Sequence, residues 1–75
     1  MAESGYVPIA TLVRLLEAHG YQPDVPRPVS ATEVYLRFTP PIGTRLPVVG
    51  VTSERGMVRR QYVERIKGII QDFEP

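Results

Sequence analysis

The chain has 75 residues, with nine basic and eight acidic side chains, one histidine and no cysteine. This length predicts a single domain, residues 1–75. Disulfides are excluded, and a lone histidine leaves no His/Cys metal site, so we expect neither metal nor cofactor. A net charge of +1 is too balanced to indicate nucleic-acid binding by itself. We find no membrane-spanning or signal-peptide pattern and expect a cytoplasmic protein.

The first element is an amphipathic helix. Residues 1–6 are predicted to form a flexible arm. Pro8 suits the first helical position, and Gly20 is predicted to end the helix as its C′ residue, with Tyr21 giving the accompanying apolar contact. The apolar side of this helix is Ile9, Leu12, Val13, Leu15, Leu16 and His19. We assign His19 to the helix end rather than to proton transfer, and no residue is predicted to be catalytic.

A proline-rich segment follows, residues 21–31, with prolines at 23, 26 and 28. Such spacing predicts extended backbone rather than helix. We interpret the segment as a stiff connector that spans the sheet. A third edge strand, or a ligand for an aromatic groove, is the alternative.

The centre of the chain, residues 32–52, predicts a β-hairpin. Residues 32–38 alternate strictly, with Val34, Leu36 and Phe38 on one face. A loop with Gly43 at positive φ follows Pro40-Pro41. The second strand is predicted over residues 46–52, and Gly50 suggests a bulge or a close backbone approach.

A turn over residues 53–56 and a second amphipathic helix, residues 58–73, complete the chain. Its apolar arc is Val58, Tyr62, Val63, Ile66, Ile69, Ile70 and Phe73. The predicted fold is therefore α+β, in the order α-β-β-α, with both helices on the Val34/Leu36/Phe38 face of an antiparallel hairpin.

Two surfaces are candidates for binding. The predicted partner-binding set on the uncovered sheet face is Tyr35, Arg37, Val49 and Val51. The candidate anion- or RNA-binding set at the second helix is Arg55, Arg59, Arg60 and Lys67. Arg59 falls inside the apolar arc of that helix, so we expect it to reach past the core edge or pair with an acid. A solvated cluster paired with Glu54 and Glu64 is the alternative to an anion site.

LVRLLEAHGY at residues 12–21 and VVGVTSERGMVRRQYVERIKGII at residues 48–70 resemble the small HicA/YcfA-type proteins. The resemblance implies a double-stranded-RNA-binding-like fold. Toxins of that family cleave mRNA with a histidine on a strand, and the corresponding run should fall near residues 29–32, where this chain has Val-Ser-Ala-Thr. The resemblance therefore implies RNA or protein binding without nuclease chemistry.

The sequence predicts a non-enzymatic binding module, regulatory or inhibitory, that engages another protein or forms a homodimer through the sheet. An RNA-binding module is the second hypothesis, and an enzyme of unknown class is the third.

Overall fold

Two helices and six short strands form an α+β domain in the computed structural model, which describes residues 5–73. The elements in chain order are β1 (Tyr6–Pro8), α1 (Ile9–Ala18), β2 (Gln22–Pro23), β3 (Arg27–Pro28), β4 (Glu33–Thr39), β5 (Val49–Glu54), β6 (Met57–Arg59) and α2 (Arg60–Phe73). The sheet is antiparallel in the order β1-β6-β5-β4, and both β2 and β3 pair with the remaining edge of β4.

The core lies on one face of the β4–β5 ladder. Leu36 pairs with Val51 and Phe38 with Val49. Directly opposed residues of an antiparallel pair share a face. Phe38 and both valines are buried, together with residues from both helices, so this is the inner face of the sheet. The predicted alternation of β4 and the placement of both helices on its apolar face are confirmed.

The predicted position of Val49 and Val51 on the uncovered face is wrong. Their side chains are 8% and 5% exposed, and the register sets them beside Phe38 and Leu36. The second strand runs over Val49–Glu54 rather than 46–52, so its inward positions are 49, 51 and 53. Apolar residues at both parities had left the face undetermined, and pairing with β4 decides it.

The proline-rich segment is an interrupted edge strand rather than the predicted stiff connector across the sheet. Gln22 pairs with Thr39 in β2, and Arg27 pairs with Tyr35 in β3. Between them, the Asp24 backbone N–H donates to the carbonyl of Arg37 at 2.8 Å. The alternative of a third edge strand is therefore confirmed, and proline is tolerated there because an edge strand has one side without a ladder partner.

A second hairpin, absent from the predicted order, joins β5 to β6. Arg55 and Gly56 form its turn, with φ values of 54° and 76°. Two successive positive φ angles are typical of a type I′ hairpin turn. The chain consequently returns as a strand over Met57–Arg59, and α2 begins at Arg60 rather than at residue 58.

Strand β1 pairs with β6, so the predicted flexible arm is wrong at Tyr6, which pairs with Arg59. It is wrong at Gly5 as well, because the Gly5 carbonyl accepts a 2.7 Å hydrogen bond from the backbone N–H of Arg60. The remainder of that prediction, residues 1–4, lies outside the described residues. Pro8 precedes α1 as its N-cap rather than standing at the first helical position.

The end of α1 follows the sequence prediction. Gly20 has a φ of 88°, and its N–H donates to the Glu17 carbonyl at 3.0 Å. The N–H of Tyr21 donates to the Leu16 carbonyl, also at 3.0 Å. These two bonds define a Schellman motif. Tyr21 and Leu16 are both buried, which supplies the apolar contact that accompanies it.

The buried core combines the inner face with one stripe from each helix. Its apolar members are Leu12, Leu16, Tyr21, Phe38, Val49, Val51, Val58, Val63, Ile66 and Ile70. Neither described helix has the length and hydropathy needed to cross a membrane.

Candidate binding surface

The sheet face away from the helices, called the outer face here, carries the sequence-predicted residues Tyr35 and Arg37. Tyr35 pairs with Thr52, and Arg37 pairs with Gly50, so these four positions share this face. Arg27 of β3 pairs with Tyr35 of β4 and therefore lies beside it on this face. The other outer-face positions of the described strands are Tyr6, Pro8, Gln22, Glu33, Thr39, Glu54, Met57 and Arg59.

Tyr35 occupies the middle of the outer face. Its ring lies over Gly50 of the neighbouring strand, where a Cβ would overlap the tyrosine hydroxyl. The sequence predicted a bulge or a close backbone approach at Gly50; the structure instead has the Tyr35 side chain there, and the tyrosine fills the space that the missing side chain leaves. Tyr35 remains 36% exposed, so one side of the ring is open to a partner.

A groove of about 450 Å³ runs between Tyr35 and the edge segment. It is lined by Asp24, Val25, Arg27, Tyr35 and Arg37. The Arg37 guanidinium lies 3.9 Å from the Asp24 carboxylate, and both side chains are about half exposed. An exposed ion pair of this length contributes little to stability, so Arg37 can exchange this carboxylate for one on a partner.

An aromatic–arginine contact lies at the opposite end of the outer face. The Arg59 guanidinium lies over the Tyr6 ring, 5.5 Å from its centroid. This is cation–π geometry. Arg59 is the last residue of β6, so its predicted place inside the apolar arc of α2 is wrong. Its guanidinium contacts the Tyr6 ring, whereas the prediction was that it would reach past the core edge or pair with an acid.

A cleft of about 380 Å³ lies between Tyr35 and the Arg59–Tyr6 contact. Strand β5 pairs with β6 only at Glu54–Met57, and beyond that pair the strands diverge. Tyr62 of α2 lines the cleft, and its hydroxyl donates a 2.6 Å hydrogen bond to the Gly50 carbonyl. The cleft thus divides the outer face into a Tyr35 half and a Tyr6 half.

The predicted cluster of four basic residues is not one site. Arg55 lies at the tip of the β5–β6 hairpin, and Arg59 lies on the outer face. Arg60 and Lys67 instead line a groove between the two helices. The helical period does not extend back through 55–59, because those residues form a turn and a strand, and this separates the four charges.

Among residues 5–73, no group of three His, Cys, Asp or Glu side chains is placed to hold a metal ion. His19 is the C-cap residue of α1, and its backbone N–H donates to the Leu16 carbonyl at 3.0 Å. Its position at the helix end agrees with the sequence interpretation.

The chain matches no family model, and no curated protein or solved structure matches it.

Sequence reasoning missed Tyr6 and Arg27 as members of the outer face. Both lie in strands of two or three residues, too short to show alternation. Only the pairing of these strands with β6 and β4 reveals which way they face.

Proposed function

We propose that the protein is a non-enzymatic, regulatory binding module that engages another protein through the outer face of its sheet. One observation carries this proposal: both helices pack on the inner face, while the outer face presents exposed Tyr6 and Tyr35 beside Arg27, Arg37 and Arg59. Together with tryptophan, tyrosine and arginine are the residue types most enriched among those that dominate interface energetics.

Proline along the sheet edge favours the face over the edge as the binding surface. Pro23 and Pro28 lie in the edge segment beside β4, and Pro8 ends β1 at the opposite edge. Proline has no N–H to donate to an added strand, so each one interrupts edge-to-edge pairing. A partner therefore gains more from packing against side chains of the outer face.

The composition of the face favours a different protein over a second copy of the chain. Val49 and Val51 belong to the core, so the outer face lacks the aliphatic centre that a stable homodimer interface requires. Its cationic groups, Arg27, Arg37 and Arg59, instead suit a partner that presents carboxylates beside an apolar side chain able to pack on Tyr35.

Site-specific photocrosslinking tests the proposal. Benzoylphenylalanine replaces Thr52, in the middle of the outer face, in cells that naturally express the chain. We expect one discrete adduct, which Tyr35→Ser removes. The matched position on the helical side is the exposed Gln71 of α2. The same adduct from position 71, or an adduct with the chain itself, would contradict a heterologous partner on the outer face.

RNA is the second candidate, because tyrosine rings and arginines on one sheet face can also stack bases and contact phosphates. The Arg59–Tyr6 contact favours it specifically, since a guanidinium already ordered over a ring extends a stacking surface. Titration with single-stranded RNA at two salt concentrations distinguishes the ligands. RNA binding must weaken steeply with salt because it releases counterions. Salt-independent or absent RNA binding removes this candidate.

A further inference from the structure

The polar sides of the two helices meet in a groove of about 500 Å³, on the opposite side of the molecule from the outer face. One stripe of each helix forms its walls: Thr11, Arg14 and Leu15 on α1, and Arg60, Val63, Glu64 and Lys67 on α2, with Val7 of β1 beside them. Spacings of three and four residues place each set on a single helical side. Small-molecule sites in proteins fall in this range of volume.

Charge in the groove is unbalanced. Arg14, Arg60 and Lys67 contribute three positive charges and Glu64 one negative charge, a net +2. The Lys67 ammonium lies 3.7 Å from the Glu64 carboxylate. Arg14 has no ion pair with any of residues 5–73. Arg14 and Arg60 belong to separate helices and line the same groove, so an anion between them can accept hydrogen bonds from both guanidinium groups.

The floor of the groove is apolar. Val63 is 5% exposed and belongs to the core, while Val7 and Leu15 are half-buried and pack against that core. A ligand here would therefore meet aliphatic side chains below and guanidinium and ammonium groups at the rim. The Thr11 hydroxyl adds one uncharged donor among the lining groups. Apolar walls with a few placed polar groups are typical of small-ligand sites.

We propose that this groove binds an amphipathic organic anion: a small molecule with an apolar body and a carboxylate, phosphate or sulfonate group. The apolar body packs on Val7, Leu15 and Val63, and the anionic group lies between Arg14 and Arg60. Arginine suits this role because its planar guanidinium group can donate two hydrogen bonds to two oxygens of the same carboxylate or phosphate. The site is independent of the protein partner proposed for the outer face.

Binding of the fluorescent anion 8-anilino-1-naphthalenesulfonate to the intact chain tests the site. We expect saturable binding and methyl chemical-shift changes confined to Val7, Leu15 and Val63. The uncharged analogue N-phenyl-1-naphthylamine should bind at least about tenfold more weakly, since it lacks the group that the cations recognise. Displacement of the dye by dodecanoate and by dodecyl phosphate then shows which anionic group is preferred.

The test variant is Arg14→Gln with Arg60→Gln, which removes two charges at similar side-chain length. Its control is Arg45→Gln with Arg65→Gln, the same change at two exposed arginines that do not line the groove. We expect the test variant to bind the dye at least about tenfold more weakly and the control less than about twofold. Circular dichroism melting establishes that both variants fold.

Three results would overturn the proposal. One is failure of the sulfonate dye and of both dodecyl anions to bind the wild type. Another is an equal loss of affinity in the control variant, which would indicate a general charge effect. The third is shift changes spread over the whole core, which would indicate dye bound to a loosened fold.

Discussion

Tyr35 lies so close over Gly50 that a Cβ at position 50 would overlap the tyrosine hydroxyl. On the other side of the strand, the Gly50 carbonyl accepts a 2.6 Å hydrogen bond from Tyr62. Glycine weakens a strand unless a neighbour fills its missing side chain. Gly50 therefore contacts Tyr35 of the sheet and Tyr62 of α2, and it connects the outer face to the helical layer.

Gly50→Ala should reduce partner binding while leaving the stability of the fold nearly unchanged. The methyl group forces the Tyr35 ring away, because the ring carbon Cζ would otherwise lie 3.1 Å from it. Tyr35 is partly exposed and can rotate into solvent, and alanine lowers the entropy of the unfolded chain. We therefore expect the free energy of unfolding to change by less than about 1 kcal/mol. Crosslinking from position 52 to the partner should fall sharply.

The control for this variant is Gly68→Ala in α2, where the added methyl group meets no atom within 4 Å apart from its chain neighbours and the adjacent backbone of its own helix. It should stabilise the helix by up to about 1 kcal/mol and leave the crosslink unchanged. An unaltered crosslink in Gly50→Ala, with Tyr35 ring resonances shifted, would show that Tyr35 takes no part in binding.

Core truncation tests the inner face. Phe38 is fully buried and Ile66 is 5% exposed, so Phe38→Ala or Ile66→Ala should each cost about 2–5 kcal/mol. That loss is comparable to the whole stability of a domain this small. Val25→Ala is the matched truncation at an 85% exposed site and should change stability by less than about 0.5 kcal/mol. Urea melts followed by circular dichroism measure all three. Native-like melting of either core variant would contradict the face assignment.

The sequence predicted the long, strongly periodic elements and failed where pairing decides the structure. β4 and the helix over Ile9–Ala18 were recognisable from alternation and from Gly20. β1, β2, β3 and β6 have two or three residues each, too few for a period, and they exist because neighbouring strands supply their hydrogen bonds.

The residues of the candidate site also differ in whether periodicity alone could place them. Tyr35 and Arg37 could be assigned to the outer face from the alternation of their own strand. Val49 and Val51 could not, because residues 46–51 include apolar side chains at both parities. Their direction follows from pairing with Phe38 and Leu36. Likewise, Arg14 falls outside the apolar side of the first helix in the sequence, and only helix–helix placement brings it into the same groove as Arg60.

Alanine substitutions at two glycines with positive φ distinguish the cost of backbone strain from the cost of a steric contact. Gly20 and Gly43 have φ values of 88° and 89°. Alanine at either should cost about 1–2 kcal/mol, because Cβ crowds the carbonyl in this region. At Gly20 the added Cβ would also lie 2.6 Å from Cγ of Pro41, whereas space around Gly43 is open.

We therefore expect Gly20→Ala to lower the melting temperature more than Gly43→Ala. Adding Pro41→Ala to Gly20→Ala should recover part of the difference. Equal melting temperatures for the two single variants would show that the loop carrying Pro41 moves aside freely.

Alkaline pH should destabilise the fold through Tyr21. Burial raises the pKa of the Tyr21 phenol above its ordinary value of about 10. The protonated hydroxyl donates a 2.7 Å hydrogen bond to the Pro47 carbonyl. Because the folded pKa exceeds the unfolded one, the stabilisation is complete below about pH 10 and is lost as pH rises through the folded value.

Tyr21→Phe should cost about 0.5–1.5 kcal/mol at neutral pH, the usual contribution of one hydrogen bond. It should also flatten the fall in stability above about pH 10. The exposed Tyr35→Phe is the control and should retain the alkaline fall. A pH profile of Tyr21→Phe parallel to that of the wild type would assign the alkaline loss to other groups.

Charge reversals at three arginines distinguish the surfaces on which the proposals depend. Arg37 lies on the outer face, Arg55 at the hairpin tip and Arg60 in the groove between the helices. The Arg37 guanidinium lies 3.9 Å from the Asp24 carboxylate, so Arg37→Glu places two carboxylates close together. Both side chains are about half exposed, and we therefore expect the free energy of unfolding to fall by less than about 1 kcal/mol.

If a protein binds the outer face, Arg37→Glu alone should abolish the crosslink from position 52, and Arg60→Glu should leave it intact. If RNA is the ligand, Arg37→Glu and Arg55→Glu should each weaken binding and reduce its salt dependence, since each removes a phosphate contact. Arg60→Glu should weaken only the binding of the amphipathic anion. A loss of the crosslink in Arg60→Glu, with Arg37→Glu unaffected, would move the partner from the sheet to the helical side.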